Sequence, residues 1–269
     1  MPAFQAAKTI AEAAVSVFCQ AHADLKLIIV ADDDLDYASF LPRDPRLVVL
    51  KTEGVGLGPS RARNIGLDYA QSPFVAFLDA DDVWDPHKLQ VLLPAAYAHG
   101  VALDNSALRL ALTKPSCFTL WNHPASGFYD FPFFAQVGQS LWPLYRRDRL
   151  YPHRFIETLR FAEDAVFHLA LIAQNQGAYL HSAPLHTRRI HQDSVTKSTG
   201  ACQTADEAYA WILAQLALGV RLGFPPDTRD VVQATFTRRQ VLNAAFAVSG
   251  QEHFEYFEIA SRGGVHPFP

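Results

Sequence analysis

The apolar run Phe74–Leu78 passes directly into three carboxylates, Asp79, Asp81 and Asp82, and this junction constrains the fold more than any other part of the chain. A short, uninterrupted apolar run bounded by turn residues is typical of a buried strand in a parallel sheet. In open α/β sheets, ligands bind beyond the carboxyl ends of such strands. The junction therefore predicts a buried strand that delivers acidic side chains to a ligand site.

The chemistry of this acidic cluster indicates a cation. Clustered carboxylates repel one another unless a positive charge shares their space. A hard divalent metal carrying a diphosphate suits them, because Mg²⁺ is usually held by one or two carboxylates together with substrate phosphates. The alternative is a solvated acidic turn, because Asp and Pro are common turn residues and Asp often precedes a helix.

Helix and strand patterns alternate along the first hundred residues, which predicts βαβ units. The expected fold is α/β, with a mostly parallel central sheet flanked by helices and a C-terminal helical appendage. Segment 101–160 is aromatic-rich and predicts short strands and loops, and Arg188–Ser198 is polar and predicts a loop. The predicted domains are 1–198 and a helical extension, 199–269. The predicted strands are 25–30, 47–50 and 74–78, and the predicted helices are 6–20, 59–70, 86–93, 162–174, 207–219 and 230–248.

Bulk properties exclude several classes of protein. The formal net charge of -4 and the pI near 6.2 argue against a nucleic-acid-binding protein, which normally has a basic face. Three widely spaced cysteines favour free thiols in a reducing compartment. Apolar runs fall short of the roughly 20 residues that span a bilayer, and the N-terminus lacks a signal-peptide pattern. We expect a cytoplasmic protein with peripheral contact at the inner face of the membrane.

Four other segments carry candidate site residues, each with a structural alternative. Asp32–Asp34 follows a strand, where a carboxylate can accept a hydrogen bond from a nucleobase or cap a turn. Arg63 falls in the first turns of a helix, where anions are favoured, although a helical arginine is usually solvated. Glu163–Asp164 opens a helix, where acids are also common as capping residues. Arg188–His191 has side chains that bind phosphate or a metal, and the structural alternative is an exposed loop.

In this order, the segments resemble a family 2 glycosyltransferase with the nucleotide-sugar-binding fold of the GT-A type. The resemblance covers residues 1 to about 200. Its matching segments are Pro2–Gln5, Ser16–Gln20, Ile28–Asp33, Gly58–Gly66, Phe77–Asp82 with Trp84 and Pro86, Glu163–Asp164 and Ser194–Thr196.

The resemblance implies a role for each matching residue. Asp164 is the expected general base, and Asp81 with His191 is expected to bind Mg²⁺ or Mn²⁺. Asp33 is expected to contact the base of the nucleotide, and Asp79 the ribose or a metal-bound water. The full set expected to bind the nucleotide-sugar is Pro2, Phe4, Asp33, Arg63, Asp79, Ala80 and Arg189.

The implied reaction is transfer of a sugar, with inversion, from a UDP-sugar to a saccharide or lipid-linked saccharide acceptor, in surface or exopolysaccharide synthesis. A carboxylate base within hydrogen-bond reach can deprotonate the acceptor hydroxyl as the new bond forms. Two alternatives stay open. A nucleotidyltransferase uses a similar fold and metal but attacks phosphate, and a non-catalytic protein binds nucleotide-sugars without transfer.

Overall fold

The structure is a computed structural model that describes residues 1–110, 117–122, 124–137, 140–190 and 200–249. Its helices are α1 (Ile10–Phe18), α2 (Pro59–Tyr69), α3 (Lys88–His99), α4 (Phe131–Ala135), α5 (Arg147–Leu150), α6 (Glu163–Gln174), α7 (Ala201–Ala217) and α8 (Arg229–Ala247). Its strands are β1 (Pro2–Ala3), β2 (Leu27–Ala31), β3 (Leu47–Lys51), β4 (Phe74–Ala76), β5 (Val83–Trp84), β6 (Val101–Asp104), β7 (Ala107–Leu110), β8 (Cys117–Thr119), β9 (Gly127–Asp130), β10 (Leu144–Arg146), β11 (Gly177–His181) and β12 (His186–Ile190).

A parallel three-stranded sheet, β1-β2-β3, forms the N-terminal part of the fold. Ala3 lies opposite Ala31, and Val30 lies opposite Leu50. β2 is nearly all buried because its residues are apolar without interruption, as is usual where helices cover a parallel sheet. Helix α2 packs on β1 and β2. This arrangement places the end of β2, with its aspartates, beside the start of α2.

The strand before the acidic cluster differs from its prediction in length and in pairing. β4 ends at Ala76, and the buried Phe77 and Leu78 continue without strand pairing. In the five-stranded sheet β4-β10-β6-β11-β9, the partner of β4 is β10, which runs antiparallel to it. β10 comes from the aromatic-rich segment 101–160, where the chain has no clear periodicity, so no local pattern indicated this neighbour.

A four-stranded sheet, β5-β12-β7-β8, carries the second half of the site. Its central pair, β12 and β7, is parallel, and β5 and β8 flank it in antiparallel orientation. The polar residues Arg188 to Ile190 therefore lie in a strand, and the predicted loop was wrong for them. Their backbone groups pair with β7, and the side chains of Arg188 and Arg189 are only partly buried.

The six predicted helices are all present, but their ends differ from the prediction by up to six residues, and α7, for example, begins at Ala201 instead of residue 207. Helix α3 continues through Pro94 to His99 and ends at Gly100, whose φ is +82°. The α/β class, with a parallel-containing sheet and C-terminal helices, is confirmed. Among the described residues, we find no helix with the length and apolarity needed to cross a membrane.

The C-terminal helices share a hydrophobic core with α6. Ile212 of α7 and Phe236 of α8 are fully buried in the cluster that also contains Leu169 and Leu171. Arg239 of α8 reaches from the same helix to the backbone oxygen of Val137, at 2.8 Å. The domain boundary between 198 and 199 stays a prediction, because this shared core crosses it.

Candidate active site

The acid loop, residues 79–82, lies between β4 and β5. Oxygen atoms of Asp79, Asp81 and Asp82, one from each, lie within 4.8 Å of one another. Asp79 and Asp81 are partly exposed, whereas Asp82 is buried, and Ala80 between them is buried too. The loop therefore presents two carboxylates to solvent and turns the third into the protein.

Asp82 anchors the acid loop to β12. Its Oδ2 lies 3.0 Å from Nε2 of the buried His186, and its Oδ1 accepts the backbone N–H of Arg189 at 3.0 Å. The backbone N–H of His186 in turn donates to Asp104, at 2.9 Å, and Asp104 is paired with the buried Lys88. Both oxygens of Asp82 are engaged, so its role in this arrangement is to hold the loop in place.

Arg189 lies across the acid loop. Its Nε donates to the backbone oxygen of Asp81, and its Nη1 pairs with the exposed carboxylate of Glu12 on α1. The guanidinium is thus held against the residue expected to bind the metal. A cation at this position suits a diphosphate bound over the loop.

Arg63 connects the acid loop to α6. Its Nη2 donates to Asp79 and its Nη1 to Glu163, each at 2.9 Å. Burial alone would lower the pKa of Arg63, but the charges of Asp79, Glu163 and Asp164 outweigh it and raise the pKa, so the side chain is charged. This arginine therefore connects the two acidic motifs of the sequence, the acid loop and Glu163–Asp164, in one site. Arg63 and Glu163 are 100 positions apart in the sequence.

The expected base, Asp164, lies in the first turn of α6. Its Oδ1 accepts the backbone N–H of Ala165 at 2.7 Å, and the side chain of Ser140 also donates to it. Burial raises the pKa of Asp164, but the Arg63 guanidinium and the Ser140 hydrogen bond outweigh burial and keep this pKa below its ordinary value. Asp164 is therefore ionised at neutral pH, as a general base must be.

Glu163 shows the opposite shift. Burial and the neighbouring charge of Asp164 raise the pKa of Glu163, against the attraction of Arg63. Two adjacent carboxylates with opposite shifts are a frequent feature of sites that divide their roles. Glu163 is engaged by the Arg63 guanidinium at 2.9 Å, which leaves Asp164 as the candidate base of the pair.

Asp33 belongs to a separate set of hydrogen bonds at the N-terminal end of the site. Its Oδ2 accepts from the backbone N–H of Gln5 at 2.6 Å and from the Tyr37 hydroxyl at 2.8 Å. Gln5 has a left-handed backbone, φ +51°, and Phe4 beside it is half exposed. Pro2 lies in β1 and is partly buried. An exposed ring next to a carboxylate suits a flat nucleobase.

Asp32 has a structural role. Its carboxylate accepts the backbone N–H of Leu57 at 2.9 Å, that of Gly58 at 2.7 Å and the Thr52 hydroxyl at 2.9 Å. It thus holds the glycine-rich loop that leads into α2. Asp33, in contrast to the buried Asp32, is partly exposed.

Some of the predicted site residues lie outside the described residues, and two residues that contact the site were not predicted. His191 and Ser194–Thr196 lie outside the described residues, so the structure does not place them. His186 and Ser140 were missed. His186 stands at the start of a strand whose first four residues are all polar, which gives no clear strand signal, and Ser140 has no signal in the sequence.

The side chains of the acid loop fit a hard divalent cation. Carboxylate oxygens are the ligands that Mg²⁺ and Mn²⁺ prefer. Asp81 and Asp79 are the partly exposed members of the cluster, and one oxygen of Asp79 is already bonded to Arg63. Asp81 and Asp79 are therefore the candidate ligands, while Asp82 orients the loop.

The sequence of residues 1–110 matches the family described as "Glycosyl transferase family 2". The matched part contains Asp33, Arg63 and the acid loop. This N-terminal part of the chain is thus similar to glycosyltransferase family 2. The matched region ends before Asp164 and Arg189, so the second half of the site rests on the geometry given above.

The curated proteins that this chain resembles include proteins described as glycosyltransferases. One is the UDP-Glc:alpha-D-GlcNAc-diphosphoundecaprenol beta-1,3-glucosyltransferase WfgD of Escherichia coli, 37% identical over 93 residues, or 34% of this chain and 37% of WfgD. Another is the putative glycosyltransferase EpsH of Bacillus subtilis, 27% identical over 190 residues, or 65% of this chain and 55% of EpsH. The chain thus spans less than two thirds of the length of either relative.

Solved structures show the same fold. S. aureus TarS 1-349 in complex with UDP-GlcNAc matches 97% of this chain and 78% of its own length, with a TM-score of 0.72 and 18% identity. The mannosyltransferase PcManGT from Pyrobaculum calidifontis, in complex with GDP-Man and Mn²⁺, matches 97% of this chain and 77% of its own length, with a TM-score of 0.56 and 14% identity. These matches support a GT-A-like fold for this chain.

Proposed function

We propose that this chain is an inverting glycosyltransferase that moves a sugar from a UDP-sugar to a saccharide or lipid-linked saccharide acceptor. One observation carries the proposal. Through Arg63, the acid loop and the helix that bears an ionised Asp164 meet in a single site. A site for a diphosphate-bound ion next to a carboxylate base is what this reaction requires. The WfgD name, with its UDP-glucose donor and diphosphoundecaprenol acceptor, supports the choice of substrates.

In this proposal, the donor lies between the N-terminal sheet and the acid loop. Asp33 accepts a hydrogen bond from the base, and Phe4 and Pro2 lie beside it. Asp79 and Ala80 contact the ribose and diphosphate. Arg189 adds a positive charge over the phosphates. The full nucleotide-sugar set is that predicted from the sequence, with Arg63 placed behind Asp79.

The chemistry is a single displacement. Asp164 removes the proton of the acceptor hydroxyl as that oxygen attacks the anomeric carbon, and the nucleoside diphosphate leaves from the opposite face. One base without a covalent intermediate gives inversion. A divalent ion, Mg²⁺ or Mn²⁺, held by Asp81 would supply a Lewis acid that neutralises the charge of the leaving diphosphate. His191 stays a proposed second ligand.

The proposed setting is the cytoplasmic face of a membrane, where a lipid-linked acceptor would be presented during surface or exopolysaccharide synthesis. The names of the relatives support this setting, since the Rhizobium meliloti protein ExoW is described as a succinoglycan biosynthesis protein, with 39% identity over 83 residues. The proposal includes peripheral contact with the membrane and no role for nucleic acid.

The first test is a screen of nucleotide-sugars with Mn²⁺ and with chelator, read by thermal shift and by nucleotide release. Ligands that bind the native state raise the melting temperature by mass action. We expect UDP-sugars to stabilise the protein in the presence of Mn²⁺ and to lose this effect with chelator. Free UDP as the product supports sugar transfer, whereas pyrophosphate would support a nucleotidyltransferase.

The second test is Asp164→Asn. Loss of a general base typically costs 10²–10⁴-fold, so turnover should fall by at least about a hundredfold while UDP binding stays within about threefold. Asp206→Asn makes the same chemical change as a control, because Asp206 is an exposed aspartate on α7. Turnover that is unchanged in Asp164→Asn would remove Asp164 from the role of base. UDP-sugar binding without any transfer in the wild-type protein would support a non-catalytic binding protein.

A further inference from the structure

Arg63 holds two carboxylates that belong to the two functional halves of the site. Asp79 begins the acid loop, and Glu163 directly precedes the proposed base. We propose that Arg63 is a positioning residue. It holds the acid loop at a fixed distance from the base helix, which is α6 with the proposed base Asp164, and it does not contact the donor itself. The inference rests on the proposed function, and it gives Arg63 a different task from the nucleotide contact predicted by the sequence.

The surroundings of Arg63 leave it little freedom to reach a ligand. Its side chain is 5% exposed, and both terminal nitrogens already donate to carboxylates at 2.9 Å. The guanidinium carbon lies 5.3 Å from the ring centroids of both Trp142 and Phe155. Aromatic rings and two carboxylates thus fix the plane of the guanidinium. A donor on the exposed side of the acid loop meets Asp79 before it meets Arg63.

The bond geometry depends on arginine and not merely on positive charge. A guanidinium is a flat fork that can direct two N–H groups to two acceptors, whereas an ammonium is a single point charge on a flexible stem. Lysine at position 63 would keep the charge but would pair well with one carboxylate at a time. Arg63→Lys is therefore the substitution that separates alignment from charge neutralisation.

Helix α2 offers a matched control in Arg61. It lies two positions before Arg63 and also bridges two carboxylates, Glu53 at 2.9 Å and Glu157 at 3.4 Å. Its side chain is 38% exposed, and its partners lie outside the acid loop and the base helix. Exposed pairs of this kind contribute little to stability. Arg61→Lys makes the same chemical change on the same helix but leaves the contacts of Arg63 with Asp79 and Glu163 intact.

The experiment compares wild type, Arg63→Lys, Glu163→Gln, their double variant and Arg61→Lys. Binding of UDP with Mn²⁺ is measured by calorimetry, and turnover by UDP release from the UDP-sugar that the wild type uses fastest. We expect Arg63→Lys to lower kcat at least tenfold while the donor KM changes by less than threefold, because Asp33 and Asp81 still bind the donor. Arg61→Lys should leave both constants within twofold of wild type.

The double variant tests whether Arg63 and Glu163 act as one unit. If they do, Glu163→Gln lowers kcat in the Arg63 protein but changes it by less than twofold once Arg63→Lys is present, because the alignment is already lost. The double variant also removes a buried unpaired carboxylate. It therefore serves as the kinetic test if Arg63→Lys alone does not fold, as judged by thermal unfolding; it should then show the same tenfold loss in kcat.

Two results would overturn the inference alone. One is a kcat of Arg63→Lys that equals that of the wild type. If Arg63→Lys does not fold and the double variant does, a wild-type kcat in the double variant has the same meaning. The other is fully additive effects of the two substitutions. If the wild-type protein neither binds UDP with Mn²⁺ nor releases UDP from any UDP-sugar, the proposed function fails, and the inference fails with it.

Discussion

At the scale of single residues, the site is built on buried polar groups whose charge is set by their neighbours. His168, one turn after Asp164 on α6, illustrates this. It is fully buried, its Nδ1 lies 2.7 Å from the Tyr145 hydroxyl, and its ring stacks on the Tyr145 ring. Burial lowers the pKa of His168 to about 3, although the charge of Asp164 acts to raise it. The imidazole therefore stays neutral beneath the base.

This shift predicts how stability depends on pH. Because the native pKa lies below the unfolded value of about 6.5, the contribution of His168 is complete above pH 6.5 and is lost as the pH falls toward 3. At pH 5, the stability already lost should amount to about 2 kcal/mol. His168→Gln, which keeps an acceptor for Tyr145, should weaken the dependence of the free energy of unfolding on pH between 7 and 5, measured with urea.

His87→Gln is the control for this prediction. His87 is exposed at the start of α3, so its replacement should leave the pH dependence as in the wild type. An unaltered slope in His168→Gln, together with wild-type-like folding, would show that the burial of His168 does not determine the acid sensitivity.

At the scale of elements, the sheet that supports α6 depends on a close approach between two strands. β11 lies between β6 and β9, and Gly177 at its start has φ +149°. A Cβ atom added at Gly177 would lie 2.1 Å from the backbone oxygen of Tyr129 on β9. A side chain at this position would therefore separate β9 from β11.

We predict that Gly177→Ala lowers the free energy of unfolding by about 2 kcal/mol or more, because both the contact and the backbone angle become strained. The matched control is Gly127→Ala at the start of β9, where an added Cβ meets nothing within 4 Å. That change should stay within about 0.5 kcal/mol of wild type. Urea unfolding checks both values, and equal stability of the two variants would contradict the predicted strand contact.

At the scale of the whole molecule, the C-terminal helices α7 and α8 pack in the same hydrophobic core as α6. Phe236 of α8 is fully buried and packs near Tyr209 of α7, and both belong to the cluster that contains the apolar face of α6. A shared core couples the folding of the elements that form it. The helical extension thus contributes to the stability of the helix that carries Asp164.

We predict that Phe236→Ala lowers stability by about 3–5 kcal/mol and that the protein still unfolds in one transition. Val241→Ala on the same helix is the control, since Val241 is largely exposed and should change stability by less than about 0.5 kcal/mol. The measurement is urea unfolding followed by both far-UV circular dichroism and fluorescence. Two separate transitions, with only one shifted by Phe236→Ala, would show that the C-terminal helices form an independent unit.

The sequence by itself determined the class of fold, the six long helices, three of the strands and most residues of the candidate site. Helix α2 was predicted at 59–70 and lies at Pro59–Tyr69, because its proline start and helical pattern are local signals. The acid loop and the Glu163–Asp164 pair were also recognisable locally. The roles of these residues in binding and catalysis stay predictions.

Only the tertiary structure decided which of these residues meet. Arg63 and Glu163 are 100 positions apart, and Asp82 and His186 are 104 apart. The antiparallel pairing of β4 and the strand at Arg188–Ile190 likewise depend on distant segments. Periodicity reports how a segment divides its side chains between core and solvent, but it does not identify the neighbour. Pairing partners and the charge of a buried group are set by long-range packing, because burial and nearby charges act through space and not along the chain.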